Sequence, residues 1–239
     1  MQTGVVSAQS APEKVSASQA AAGCAPSVGV PPVSGSGLRV LGPQDTQPHM
    51  LFGPRDLVVL SGGVQAGVRL GQAYFARRVV GLSVGTSGRP RTLQTAGWLR
   101  IVAVNDTTSI ALIDVACDGV SVGDYLEPFV VPAALPEPAR EDSPGNLDFS
   151  SLARVRFGYQ ERTLAGLGDF MLLDPGDGPA LPAGTRVAIY RDLQTPGMPL
   201  AAVGQGIIAS TVNGTPLMRV TAARDAVQSG DYVVRRRQN

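Results

Sequence analysis

The sequence predicts an all-β protein, with two tandem small barrel or sandwich modules behind a mostly extended N-terminal leader. Three observations predict this class: a turn-rich composition, short β-prone runs at regular spacing, and a diverged internal repeat. The 239 residues include 29 glycines and 19 prolines, and only 5% are aromatic, a composition typical of many turns and short strands. Because a typical domain has about 100–150 residues, we expect two domains and no long helix.

The leader comprises residues 1–46. It is rich in Ala, Ser, Gly, Pro and Val and contains no aromatic residue. A segment of this composition cannot bury enough apolar surface to fold alone, so the leader is predicted to be flexible or extended. One stretch differs from the rest: residues 38–41 form a brief apolar run bounded by glycines. This run is expected to add to the first module as an edge strand.

The two modules are predicted at residues 47–132 and 151–239. In the first, four β-prone runs are separated by Gly, Asn, Asp or Ser, at residues 57–60, 73–76, 99–104 and 110–113. The second is expected to begin with a half-buried strand, because apolar residues alternate with polar residues or glycine over residues 154–159. The acidic, proline-broken residues 133–150 between the modules have the composition of a linker.

The repeat becomes visible when the two modules are aligned. Asp56 matches Asp169, 113 positions later, whereas Tyr125 matches Tyr232, 107 positions later. The first copy therefore holds six extra residues, which we place in a lengthened hairpin tip around residues 86–90. The matched positions are interpreted as turn residues, because glycine reaches positive φ and aspartate bonds nearby amides. The repeat turn markers are Gly53, Asp56, Gly123, Asp124, Gly166, Asp169, Gly230 and Asp231.

Matched aspartates in two copies also invite comparison with the paired carboxylates of aspartic proteases. That chemistry uses Asp-Thr-Gly or Asp-Ser-Gly, and the nearest string here, Asp106-Thr107-Thr108, has no aspartate at its partner position. We therefore expect no catalytic residue. The alternative is a carboxylate-dependent hydrolase acting on glycan or peptide, since the distance between two carboxylates is a three-dimensional property.

Charge and motif content make several other functions improbable. The net charge of +1, with 16% charged residues, lacks the basic surface that nucleic acid requires. One histidine and two cysteines cannot supply the four ligands of a zinc site, and no nucleotide-binding or other cofactor motif is found. No run approaches the roughly 20 apolar residues of a transmembrane helix. The terminal residues 235–237, three arginines, are interpreted as a solvated charge run, with contact to an acidic lipid or polymer as the alternative.

The two cysteines allow two interpretations. Residues 22–24 resemble the end of a lipoprotein processing site, in which Cys24 would be lipidated, but no apolar run precedes them. A disulfide between Cys24 and Cys117 is favoured, and it would tie the leader to the first module in an oxidising compartment. Together with a single lysine, Lys14, and the Ala/Ser/Pro-rich leader, this predicts a secreted, periplasmic or cell-surface protein.

Two aromatic residues of the first module are candidate ligand-facing positions. Trp98 and Tyr74 lie in adjacent β-prone segments and could stack against a sugar. A lone tryptophan that follows a glycine in a strand is more often part of the core, so burial is the favoured interpretation of Trp98.

The second module carries further motifs: Gly168-Asp169 before a strand, the segments 181–185, 187–191 and 203–206, and the closing residues 229–233. In these it resembles the C-terminal β domain of bacterial LysM-containing envelope proteins and modules of flagellar-assembly and SAF-like proteins. The first module, in residues 51–56 and 123–128, resembles exported proteins of environmental bacteria. No LysM repeat is present.

The lack of a catalytic motif, the leader composition and the even cysteine count together predict a non-catalytic, exported or envelope-associated protein that acts as a structural or binding module. The expected partner is an envelope polymer or another protein. Self-assembly into a homo-oligomer or filament is a further expectation, since an extended leader can add a strand to a neighbouring copy.

Overall fold

The structure is a computed structural model that describes residues 15–29, 37–47, 49–79, 91–132, 147–158, 162–178, 180–212 and 214–236. The chain divides into two compact units, one built mainly from residues before Leu135 and the other mainly from residues after it. The predicted all-β class is confirmed: a single α-helix and a short 3₁₀ turn, Val64–Ala66, accompany the strands in the described residues.

The chain up to Pro132 contains one helix and nine strands among its described residues. These are α1 (Ala17–Cys24), β1 (Ser27–Gly29), β2 (Val40–Pro43), β3 (Leu51–Phe52), β4 (Leu57–Leu60), β5 (Ala73–Val79), β6 (Arg91–Val104), β7 (Ser109–Ala116), β8 (Val120–Ser121) and β9 (Tyr125–Pro128). The main antiparallel sheet has the order β2-β4-β7-β6-β5-β9, and β3 pairs with β8 separately.

This first sheet curls around an apolar core. Alternate residues of β7, such as Ala111 and Ile113, are fully buried, as expected for a strand with one inward face. Glycine at position 97 permits close strand packing, since a Cβ there would lie 2.2 Å from the carbonyl oxygen of Val115. An isolated bridge between Arg39 and Tyr125 brings the two ends of the curled sheet together.

The second module is a closed six-stranded barrel. Its strands are β10 (Leu147–Gly158), β11 (Leu164–Ala165), β12 (Phe170–Asp174), β13 (Arg186–Arg191), β14 (Ala201–Val212), β15 (Thr215–Ala223), β16 (Val227–Gln228) and β17 (Tyr232–Arg236). The barrel order is β10-β12-β15-β14-β13-β17, and β11 pairs with β16 apart from it.

The repeat is visible in the backbone hydrogen bonds as well as in the sequence. The amide of Gly123 donates to the carbonyl of Val40 at 2.8 Å, and the amide of Gly230 donates to that of Val155 at the same distance. Both glycines have positive φ, 90° and 95°, a region that favours glycine. The modules differ in the strand that precedes the first matched turn: β2 has 4 residues and β10 has 12, and only β10 pairs extensively with two neighbours.

The described part of the leader, residues 15–29 and 37–46, is more ordered than its composition suggests, since it contains α1, β1 and β2. Helix α1 starts with a capping box, in which Ser16 accepts from the amide of Gln19 and the Gln19 side chain accepts from the amide of Ser16. The apolar surface that the helix lacks is supplied by the first module, against which Ala20 packs. The predicted edge strand is also present, as β2.

The predicted linker also differs in part from the structure. Residues 147–150 already belong to β10, because Leu147 and Asp148 pair with the end of β17. Residues 133–146, and the hairpin tip predicted at 86–90, lie outside the described residues.

Candidate functional site

The first pair of repeat aspartates closes two equivalent turns. Oδ2 of Asp56 accepts from the amide of Gly53 at 2.8 Å, and Oδ2 of Asp169 accepts from the amide of Gly166 at 2.8 Å. Each bond spans three residues and satisfies a backbone donor that no strand partner reaches, as in other Asx-type turns. These carboxylates lie where the turn interpretation places them.

The second pair is buried and bound to arginine. Asp231 is 3% exposed, and Arg191 donates to both of its oxygens, from Nε at 2.8 Å and from Nη2 at 2.9 Å. The same carboxylate accepts from the amide of Gln228 at 2.7 Å. Hydrogen bonding to Asp231 is the main reason that the pKa of Arg191 is raised above its ordinary value. Three donors therefore hold this buried carboxylate in place.

The first module repeats this contact. Arg78 donates to Asp124 from Nε and Nη2, both at 2.8 Å, and the amide of Ser121 donates to the same side chain at 2.8 Å. Arg78 and Arg191 are matched in the sequence repeat, but their ionic role is not apparent from sequence, because each partner lies 40 or more residues away.

Glu127 lies in a polar cluster that only the first module contains. One oxygen accepts from Nε of Arg77 at 3.2 Å and the other from the hydroxyl of Tyr125 at 3.3 Å. Burial lowers the pKa of Arg77 and raises that of Tyr125. In the second module the positions of Arg77 and Glu127 are held by Tyr190 and Val234, so the cluster is not a shared feature of the repeat.

Trp98 and Tyr74 do not form an exposed platform, and Trp98 lies in the core, as its favoured interpretation predicts. Trp98 is 1% exposed and Tyr74 is 7% exposed. The tryptophan ring packs among Phe75 and Phe129 with centroid distances of 6.0 and 5.9 Å. It is covered because helix α1 lies over this side of the sheet; a Cβ on Gly23 would lie 3.1 Å from the indole. The sequence could not reveal this cover, since the helix itself was not anticipated.

Cys24 and Cys117 form a disulfide, with Cα atoms 5.4 Å apart. It joins the last residue of α1 to the residue after β7. The bond therefore holds the helix on the aromatic cluster of Trp98, Phe75 and Phe129 described above.

The described residues contain no group of three or more His, Cys, Asp or Glu arranged to hold a metal ion. His49 lies at a half-exposed position, with its ring 4.9 Å from that of Phe52. Within the same residues, no helix has the length and apolar character needed to cross a membrane.

A groove in the second module is lined by a concentration of arginines. Its volume is about 610 Å³. We call it the arginine groove. It is lined by Asp148, Pro182, Ala183, Gly184, Thr185, Arg186, Arg235 and Arg236.

The groove is built on strands and one tight turn. Arg186 begins β13, and Arg235 and Arg236 end β17. Opposite them, the carboxylate of Asp148 accepts from the amide of Ser150 at 3.1 Å, within a bulge of β10. The sequence predicts a solvated run at residues 235–237, but strand β17 extends through Arg235 and Arg236. Arg237 lies outside the described residues.

Protein-family models and curated proteins were both compared with the chain, and none matches it. The resemblance to envelope modules therefore remains a prediction from the sequence.

Proposed function

We propose that the protein is an exported, non-catalytic module that binds a polymer of the cell envelope. The observation that carries this proposal is the structural use of the repeat carboxylates. Asp124 and Asp231 are buried and neutralised by arginine, while Asp56 and Asp169 bind turn amides. A hydrolase of the alternative class needs a carboxylate free to act as acid, base or nucleophile.

The disulfide supports the location. Such bonds persist in oxidising compartments and are rare in the cytosol, and both cysteines of the chain are used in this one bond. An export assignment would also agree with the sequence resemblance to envelope modules.

The structure of the leader favours ligand binding over self-assembly. Strand β2 pairs with β4 of its own module, and α1 is held on the same module by the disulfide. Strand addition by β2 or by the segment of α1 would require these contacts to open, so we place the described part of the leader in the architecture of the first module.

The test uses the full chain and insoluble cell-wall material. After incubation, the pellet is assayed for protein and the supernatant for released reducing ends and peptides. We expect the protein in the pellet and no soluble product. Release of soluble fragments at a rate proportional to protein concentration would contradict the proposal.

Location is tested separately by alkylating thiols before cell fractionation. The proposal requires oxidised protein in the envelope or medium, so a reduced cytosolic pool would overturn it.

A further inference from the structure

We infer that the arginine groove of the second module binds a carboxylate-bearing polysaccharide. This inference rests on the proposed binding function and names the ligand class and the site. Its central observation is a difference between the two copies of the repeat at one equivalent face.

In the first module that face is apolar and covered by the chain's own leader. Ala73, at the start of β5, and Phe129, just after β9, are both fully buried with Trp98 beneath helix α1. Their partners in the repeat, at offsets of 113 and 107 positions, are Arg186 and Arg236. The second copy thus carries guanidinium groups where the first copy packs a helix.

The groove has an excess of positive charge. Three arginines and one aspartate line it, which leaves two formal positive charges in excess. Guanidinium groups offer paired N–H donors that match the two oxygens of a carboxylate. The excess charge and the chemistry of the guanidinium group both favour an anionic oxygen ligand.

Backbone hydrogen bonds also fix the shape of the groove before any ligand binds. The amide of Gly184 donates to the carbonyl of Ile208 at 2.8 Å, and that of Thr185 donates to Pro182 at 3.1 Å, which fixes the turn that forms one wall. A Cβ built on Gly184 meets no atom within 4 Å, so this wall faces open space. The volume of about 610 Å³ is within the usual range for ligand sites.

An aromatic pair beside the groove favours a sugar chain over other anions. Phe149 directly follows Asp148, is 49% exposed, and its ring lies 5.5 Å from that of Tyr190. An exposed ring one residue along the chain from a lining carboxylate suits a ligand with both apolar faces and charge. Nucleic acid fits less well, because two excess charges and a net charge of +1 would neutralise few phosphates.

The experiment measures binding of the full chain to polygalacturonate, with its fully methyl-esterified form as the uncharged control. Polyphosphate and single-stranded DNA are the competing anions. We expect polygalacturonate to bind most tightly, with affinity that falls as salt rises. Equal binding of the esterified polymer, or tighter binding of polyphosphate or DNA, would overturn the inference.

Two variants assign the site. The double variant Arg186→Ala/Arg235→Ala should weaken binding by about tenfold or more, because charge-assisted hydrogen bonds are lost. The matched control is Arg224→Ala, an exposed arginine of the same module outside the groove, which should change binding by about twofold or less. Unchanged thermal melting establishes that both fold.

The outcomes separate this inference from the function on which it rests. If the double variant still binds cell-wall material and polygalacturonate as the parent does, the groove assignment fails and the binding function stands. If the parent releases soluble fragments from cell-wall material, the binding function itself fails.

Discussion

Arg191 and Asp231 form a two-point ion pair, in which Nε and Nη2 of the arginine bind separate carboxylate oxygens at 2.8 and 2.9 Å. The contact joins the end of β13 to the turn before β17, and Arg78 with Asp124 makes the same connection in the first module. The aspartate side chain of each pair is only 2% exposed. The repeat has therefore kept a buried ionic contact while most other positions diverged.

The first prediction concerns the arginine of this pair. Arg191→Met should lower the free energy of unfolding by about 3–5 kcal/mol, because it leaves a buried carboxylate without its partner. The double variant Arg191→Met/Asp231→Asn should recover part of the loss, since no buried charge remains. Urea denaturation measures both, with Arg224→Met as the control. A loss below about 1 kcal/mol in the single variant, the range of surface pairs, would contradict a structural role.

The second prediction concerns the disulfide. Replacing Cys24 and Cys117 with serine should lower the free energy of unfolding by about 2–4 kcal/mol, because the cross-link no longer restricts the unfolded chain. The sequence contains a single tryptophan, Trp98, which α1 helps to bury. We therefore expect its fluorescence to shift to longer wavelength as the helix loosens.

The control for the disulfide is the parent protein treated with reductant, which should reproduce the same spectral shift. An unchanged emission maximum in both samples would show that the helix stays docked without the bond. In that case packing of α1 against the aromatic cluster is sufficient.

The turns could be predicted from sequence because their contacts are local. Asp56 bonds to Gly53 and Asp169 to Gly166, three residues away, so the residue types and their spacing carry the information. The ion pairs could not be predicted, since Arg78 reaches an aspartate 46 residues away. The pairing register of the sheet brings the two residues together, and no local sequence pattern specifies that register.

The leader helix and the groove were missed for a related reason. The composition of residues 17–24 offers too little apolar surface for a helix that stands alone, and the surface that stabilises it belongs to Trp98 and Phe129. The arginines at 235 and 236 resemble a terminal charge run until β17 is seen to extend through them. In both cases the structure of the segment depends on residues that are distant in sequence and lie beside it in the fold.

The third prediction tests the close approach of strands in both modules. A Cβ at Gly97 would lie 2.2 Å from the carbonyl oxygen of Val115, and one at Gly204 would lie 2.4 Å from that of Ala222. Because a backbone oxygen cannot move aside without shifting its strand, Gly97→Ala and Gly204→Ala should each cost about 1–3 kcal/mol, as overpacking does. Thermal or urea denaturation measures the loss.

Gly42 provides the matched control for these two variants. It also lies in a strand, yet a Cβ there would meet no atom within 4 Å. Gly42→Ala should therefore leave stability unchanged or slightly higher, because alanine restricts the unfolded chain. If all three variants behaved alike, close strand contact would not be the reason that glycine occupies the matched positions 97 and 204 of the repeat.

The last prediction is a loss of stability of the first module at alkaline pH. Tyr125 is 4% exposed, and burial is the main cause that raises its pKa above the ordinary value, with the neighbouring Glu127 adding to the effect. The folded state thus holds the phenolic proton more tightly than the unfolded state does. The corresponding stability is complete below the unfolded pKa of about 10 and is lost as pH rises above it. Burial raises the pKa of Tyr74 in the same direction.

Urea denaturation at a series of pH values from about 8 to 11 measures this loss, because the window lies around the unfolded tyrosine pKa. Tyr125→Phe removes one titrating group, so its stability should fall less steeply with pH than that of the parent. Tyr232→Phe is the control: Tyr232 aligns with Tyr125 in the repeat, but its ring lies against Arg154, with the guanidinium 4.3 Å from the ring centroid. Equal slopes for the parent and Tyr125→Phe would mean that burial of Tyr125 does not govern the alkaline limit of the module.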